Sequence, residues 1–444
     1  MAKRPIREDL VDAVVLEVHG LVHDQGWLAD RALERALRRE RTLWAAERRA
    51  AADALYGVTR WQGQLDWLLA AGAAPTRGPA GASAVDLATR YAGWLVRFGG
   101  ASVRDAARRL AVRPDRLAPL DGADARIAAI ADPLERLAVA ESLPRWIVAR
   151  FADELGLDEA RVLAAAMNAR APLTTRANAL LGDRDDLRRQ LAKEGVEAEP
   201  TRYSPWGLAL DGHANAFALE AFQAGRFEIQ DEGSQLIALA CGARPGKVVV
   251  DACAGAGGKS LALAAEMRSK GTLWALDSDP DRLEEARRRA RRAGVSNLRT
   301  RPIAGGEEAA AQLADLAGKA DVVLVDAPCS GLGTLRRKPD ARWRLAPEDP
   351  ARFAAIQRTL VARFAALVRP GGRLVYATCA VGRTENDDVA DHVLRELPFD
   401  AAPLAPLLGE DRARALGAEG NRLQLYPHRH GTDGFFMAAF ERRR

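Results

Sequence analysis

From Leu236 onward the chain alternates short apolar runs with longer stretches whose apolar residues recur every three or four positions. That alternation is the signature of βαβ units, because parallel strands need a crossover long enough to hold a helix. Strands are expected at 247–250, 272–276, 321–325 and 373–377, and helices at 259–267, 280–293 and 350–367. Two further strand-like runs, 422–425 and 435–440, flank a loop containing Gly431, Asp433 and Gly434.

The first 140 residues read differently. Stretches such as 28–39, 44–58 and 84–98 carry helical spacing with few β-branched runs, and a loop rich in Gly, Ala and Pro occupies 71–83. Helical spacing continues through 133–155 and 157–168. Residues 171–233 then mix strand-like pieces (173–177, 206–210) with a helix at 184–194. The expected architecture is multidomain: an all-α N-terminal domain (1–140), a small α+β linking module (141–235) and an α/β Rossmann-like catalytic domain (236–444). A length of 444 residues has room for about three domains.

Four cysteines, Cys241, Cys253, Cys329 and Cys379, are widely spaced and form no C-x-x-C pair, so a zinc cage is not expected. Few cysteines point to a reducing cytoplasm. The basic start, Met-Ala-Lys-Arg-Pro, is followed by an apolar stretch broken by Asp12, Glu17 and His19, which does not read as a signal peptide. No uncharged run is long enough to span a bilayer. A net charge of +5 permits an acidic partner such as RNA without requiring one. His19 and His23, at i and i+4, and the pair His428 and His430 lack a third ligand, so both read as surface or packing residues.

Strand 247–250 leads into Asp251-Ala252-Cys253-Ala254-Gly255-Ala256-Gly257-Gly258-Lys259-Ser260, a glycine turn opening a helix. A phosphate-binding P-loop would need glycine at Cys253, and a dinucleotide fingerprint starting at Gly255 would need Gly or Ala at Ser260. What remains is a loop whose backbone can approach a ligand closely, with Asp277 ending the next strand and able to accept from ribose hydroxyls. S-adenosyl-L-methionine, which has a ribose and an amino-acid moiety but no diphosphate, suits that arrangement better than a nucleotide.

Two cysteines follow expected strands directly, in Asp326-Ala327-Pro328-Cys329-Ser330-Gly331 and Tyr376-Ala377-Thr378-Cys379. Chemistry in open α/β sheets sits at the carboxyl ends of strands. Cytosine C5 is too weak a nucleophile to take a sulfonium methyl unaided, but a thiolate added to C6 makes C5 enamine-like. Such a site needs a nucleophilic thiol, an acid at the N3/N4 edge and help with elimination. Cys379, Asp326 and Cys329 can fill these roles. Cys241 reads as a buried inert thiol, and Cys253 as a backbone contact in the cofactor loop.

These strings resemble the Sun-like RNA (cytosine-C5)-methyltransferases. So do Arg336-Arg337-Lys338-Pro339-Asp340 with Trp343, Ile229-Gln230-Asp231-Glu232-Gly233-Ser234-Gln235, and Asp433-Gly434-Phe435-Phe436. The resemblance implies that Cys379 is the nucleophile, that Cys329 assists release, and that Cys253, Ala254, Gly255, Ala256, Gly257, Gly258, Lys259, Asp277 and Asp326 contact the cofactor. DNA cytosine-C5 enzymes use the Pro-Cys thiol instead, which is the swapped alternative. Two departures stand out: Ala256 where the family usually has proline, and no acid after the third strand until Glu307.

The helical N-terminal segment, with Tyr56-Gly57-Val58-Thr59-Arg60, is similar to the NusB-like RNA-binding domain of bacterial 16S ribosomal RNA members, and 171–178 resembles the module preceding their catalytic domain. Among the basic runs, 287–292 reads as a solvated helix face and 336–338 as a contact to RNA or the substrate loop. The implied protein is a monomeric cytoplasmic enzyme acting on 16S ribosomal RNA, without metal or membrane. Its rivals are the same chemistry on transfer RNA and a non-catalytic RNA-binding assembly protein.

Overall fold

The computed structural model describes residues 4–70, 85–211, 215–305 and 308–444. The expected loop at 71–83, the first residue of the helix expected at 84–98, and Glu307 lie outside them. The chain divides into two compact units: Met1–Ala169 with Leu335–Pro347, and Arg170–Thr334 with Glu348–Arg444.

The first unit is helical. Helices Glu8–Gln25, Ala45–Leu69 and Leu87–Arg97 pack through Val15, Val18, Leu55, Val58 and Tyr91, all essentially inaccessible to solvent. Asp86 caps the third helix by accepting from Thr89 N–H at 2.8 Å. A fully buried charge, Arg90, is held bidentately by Asp66 at 2.7 and 3.0 Å. His19, also buried, lies 3.2 Å from Arg90 and serves packing.

The segment 335–347 interrupts the second unit in sequence but belongs structurally to the first. Its Arg342 is buried and donates to Ser142 O at 3.1 Å and Asn168 Oδ1 at 2.8 Å. Trp343 donates its indole N–H to Thr59 O at 2.6 Å. Its ring lies where a side chain at Gly63 would stand, 2.5 Å from a Cβ placed there. Residues 336–338, expected to contact RNA or the substrate loop, are not presented alike. Arg336 is buried and its carbonyl accepts from Arg60, Arg337 is half-buried, and Lys338 is exposed.

In the second unit, strands β1 (Leu173–Ala177), β2 (Ala198–Pro200), β3 (Gly207–Leu210) and β4 (Phe227–Ile229) form an antiparallel sheet in the order β2-β3-β1-β4. Helix Arg184–Lys193 packs on it through Leu187 and Leu191.

The larger sheet contains β5 (Val248–Asp251), β6 (Thr272–Asp277), β7 (Leu298–Pro302), β8 (Ala320–Asp326), β9 (Val368–Thr378), β10 (Phe399–Ala401), β11 (Arg422–Leu425) and β12 (Phe435–Arg442). Its order is β10-β12-β9-β8-β5-β6-β7, with β11 paired to β12. The five strands β5 to β9 are mutually parallel and β12 runs antiparallel to β9. Val249, Val250, Val323, Leu324 and Val375 are wholly buried, as expected for strands covered on both faces. The chain runs β5, β6, β7 in one direction and then returns to place β8 on the other side of β5. That reversal opens a crevice at the carboxyl ends of β5 and β8, where ligands bind in such sheets.

Candidate active site

The register of the parallel pair β8 and β9 sets Asp326 opposite Ala377. Cys329 follows Asp326 by three residues and Cys379 follows Ala377 by two, so the two thiols reach the same height above the sheet. Their sulfurs lie 3.2 Å apart, each partly accessible. The hydrogen bond to Cys379, reinforced by burial, pushes the Cys329 thiol well above its ordinary range. Cys329 therefore resists deprotonation, and either sulfur can donate across the 3.2 Å contact.

The loop between the cysteine of β8 and Thr334 is fixed by groups far away in sequence. The buried Glu385 carboxylate accepts from Ser330 N–H at 2.8 Å and Ser330 Oγ–H at 2.5 Å. Gln357 donates to the same carboxylate at 3.2 Å and to Pro328 O at 3.0 Å. Gly333 N–H donates to Cys379 O at 2.9 Å, and Gly434 N–H to Gly333 O at 2.8 Å. On the other strand, Thr378 donates to Asn386 Oδ1 at 2.6 Å, while Asn386 Nδ2 reaches Gln424 Oε1 at 2.7 Å. The sequence reading missed Glu385, Gln357, Asn386 and Gln424. Glu385-Asn386 shortly after Cys379 was the one available signal.

Asp326 at the end of β8 receives the Lys259 ammonium at 2.5 Å. Burial works against that ammonium, but Asp326 outweighs it and the net shift of Lys259 is upward. Lys259 therefore stays charged, 5.8 Å from the ring centroid of Phe435.

The glycine loop after β5 lies beside this pair. Gly255 and Gly257 have φ of +53° and +82°, which disfavours side chains. A Cβ at Gly257 would lie 2.9 Å from Ala286 Cβ, so this glycine lets helix Pro280–Arg292 approach. Sites for a Cβ at Gly255 and Gly258 are open, with no heavy atom within 4 Å. These two positions form a bare backbone cradle. Asp277 fixes it, its carboxylate accepting from Gly255 N–H at 2.7 Å and Asp279 N–H at 2.9 Å. Arg289 donates to Ala256 O at 2.8 Å and also reaches Glu228 at 2.9 Å. The run 287–292 is thus split: Arg287 and Arg288 pair with Glu284 and Glu285 on an exposed face, whereas Arg289 and Arg292 turn inward to Glu228.

Asp251, buried at the end of β5, accepts from Ser260 Oγ–H at 2.6 Å, while its Oδ1 has no partner. Burial raises its carboxyl to about 7. An open cradle, an orphaned acceptor and an acid on the neighbouring strand fit the ribose and amino-acid parts of S-adenosylmethionine. Cys253 is half-buried with its thiol pushed up by burial, and Cys241 is fully buried, donating to Ile237 O. Ala254 N–H is spent on Leu276 O. At the end of β7, Ala304 N–H donates to Gln312 Oε1 at 2.9 Å. Among the described residues no cluster of three or more His, Cys, Asp or Glu side chains is placed to hold a metal, and no helix is long and apolar enough to cross a membrane.

The switch-point crevice, the glycine cradle and the acid on β6 define a Rossmann-like methyltransferase. Residues 238–441 match the family described as 16S rRNA methyltransferase RsmB/F, and 143–216 match the ferredoxin-like domain of RsmF/B-like methyltransferases. The probable ribosomal RNA small subunit methyltransferase B of Bacillus subtilis is 36% identical over 320 residues, spanning 71% of this chain and 70% of that protein. A 28S rRNA (cytosine-C(5))-methyltransferase of Mus musculus is 30% identical over 283 residues, 61% of this chain and 35% of its own. The crystal structure of PH0851 superposes with a TM-score of 0.78 at 26% identity, covering 99% of this chain and all of that one. The chain belongs to the RsmB/F methyltransferase family. It is an S-adenosylmethionine-dependent RNA (cytosine-C5)-methyltransferase.

Proposed function

We propose that this enzyme methylates C5 of a cytosine in 16S ribosomal RNA through a covalent adduct between Cys379 and C6. The observation that carries the reading is the 3.2 Å separation of two thiols at the carboxyl ends of adjacent parallel strands. Cys379 as thiolate adds to C6, forming the C–S bond and moving the ring electrons onto C5. S-adenosylmethionine, when bound, supplies the electrophilic methyl group. Asp326 accepts a hydrogen bond from the exocyclic amine of the base, and Lys259 holds that carboxylate in place. The C5 proton then leaves through a water molecule, the C5–C6 double bond re-forms and the Cys379 thiolate is expelled. Cys329, still protonated, meets the departing sulfur with its S–H.

The target base must leave any stacked structure to reach the thiol. We assign residues 1–140 to a NusB-like RNA-binding domain and 141–235 to a linking module ahead of the catalytic domain. We assign the protein to the cytoplasm as a monomer. In the cofactor site we assign Cys253 to Lys259 and Asp277 to S-adenosylmethionine. The name of the Bacillus subtilis relative supports the small-subunit RNA as substrate.

The test is methyl transfer from labelled S-adenosylmethionine to unmodified 16S RNA and, in parallel, to transfer RNA, each digested to nucleosides. Label in 5-methylcytidine from 16S RNA alone is the expected result. Label from transfer RNA alone would reassign the substrate. Binding of the cofactor with no label in either would contradict the catalytic reading.

A further inference from the structure

The helical unit contains a cavity of about 400 Å³ that the chemistry above does not use. Its floor is apolar, with Ile127 and Leu137 almost fully buried beneath it. One wall is an aromatic pair: the rings of Trp61 and Phe98 stack with centroids 4.6 Å apart and planes inclined by 20°. Trp61 projects from helix Ala45–Leu69, and Phe98 ends helix Leu87–Arg97, where the chain turns away through Gly99 and Gly100. Trp61 anchors the pair to the core, whereas Phe98 stays 38% exposed.

The rest of the rim carries three arginines, Arg97, Arg136 and Arg161, against two carboxylates, Asp124 and Glu141, the latter accepting from Asn168 Nδ2 at 3.0 Å. Arg97 sits 5.8 Å from the Phe98 ring centroid and is neutralised by Asp124. Arg136 donates one nitrogen to Ile130 O at 2.9 Å. Arg161 has its side chain 59% exposed, and its ion pair with Asp158 is a loose one at 3.9 Å. Arg90 and Arg342 in the same unit are fully buried and held by internal partners. Here Arg136 is spent on a single carbonyl and Arg161 stays largely exposed, beside a ring that is 38% exposed.

We propose that this cavity binds one unpaired nucleotide of the RNA, its base stacked on Phe98 and its phosphate held by Arg136 and Arg161. The volume lies in the range of small-molecule sites. An exposed ring accepts any base, since every base has a π-face, and adjacent cations neutralise the backbone. The site recognises single-stranded RNA by stacking and charge, apart from the cysteines. It rests on RNA being the substrate and is independent of which RNA is methylated.

The experiment uses the full chain and a uridine dodecamer carrying 5-iodouridine, which couples photochemically to aromatic rings it stacks on. The expected crosslink, located by peptide mass spectrometry, falls on Trp61 or Phe98. Phe98→Ala should weaken dodecamer binding roughly tenfold and lose the crosslink, while Phe98→Tyr restores both. Arg161→Glu should weaken binding and lower the salt dependence by about one ion. Binding of S-adenosylmethionine should be unchanged in all three variants, which also controls for folding. Unaltered affinity in Phe98→Ala, with crosslinks confined to other parts of the chain, would overturn the proposal and leave the cavity to a protein side chain.

Discussion

Glu385 binds both the backbone N–H and the hydroxyl of Ser330, the residue next to Cys329, across 55 positions of sequence. Through this buried carboxylate the turn after β9 holds the loop after β8 that carries Cys329.

Glu385→Ala leaves two donors on Ser330 and the amide of Gln357 without their buried acceptor. Each such loss costs about 1–3 kcal/mol. The variant should lose about 3 kcal/mol in urea unfolding, and its methyl-transfer rate should fall because the Cys329 loop is released. Unchanged stability would show that the carboxylate is not the latch.

A similar argument applies to Gly333. A Cβ there would lie 2.1 Å from Gly434 O and 2.8 Å from Cys379 O, both backbone atoms with nowhere to retreat. Gly333→Ala should destabilise by about 3 kcal/mol, at the upper end of overpacking costs. Because the strain falls on the Cys379 carbonyl, turnover should drop while cofactor binding, measured by titration, persists.

Asp326→Asn preserves shape but deprives Lys259 of its counter-ion. A positioned catalytic side chain contributes typically 10²–10⁴-fold, so kcat should fall by about that factor. A variant within a few-fold of the parent enzyme would remove Asp326 from the reaction.

The carboxyl of Asp251 has its folded-state value raised to about 7 from an ordinary 3.8. An acid raised in this way binds more protons folded than unfolded between those two values, so it makes stability fall as pH climbs from about 4 to 7. Asp251→Asn removes that penalty. Thermal unfolding without cofactor should show the variant gaining on the parent protein as pH rises from 4 to 7, with the gap constant above. A gap independent of pH would contradict the assignment.

The parallel strands and the thiols at their ends were legible because buried strands are short, apolar and bounded by turns. Strand β11 was read at its full extent, 422–425. Strand β9 was read as 373–377, although it begins at Val368. Pro370-Gly371-Gly372 looks like a turn, and these residues do bulge out of the ladder, whose register jumps from Ala320–Val368 to Val322–Arg373. The helix expected at 44–58 continues to Leu69. Gly57 and Gly63, ordinarily helix-weakening, are there to admit the rings of Trp94 and Trp343. Neither partner is local, so no window of sequence could reveal it. The same holds for Glu385 and Gln357, whose partners lie 55 and 28 residues away. The cofactor loop was readable as a motif, whereas the grip of Arg289 on Ala256 depended on folding two distant segments together.

The most direct test of the account separates the two thiols. Each single alanine variant is incubated with S-adenosylmethionine and unmodified 16S RNA, then run on a denaturing gel. Cys379→Ala should neither methylate RNA nor form an adduct. Cys329→Ala should accumulate a slowly migrating protein–RNA band, because attack proceeds while release is impaired. An adduct in Cys379→Ala with none in Cys329→Ala would contradict the account and make Cys329 the nucleophile.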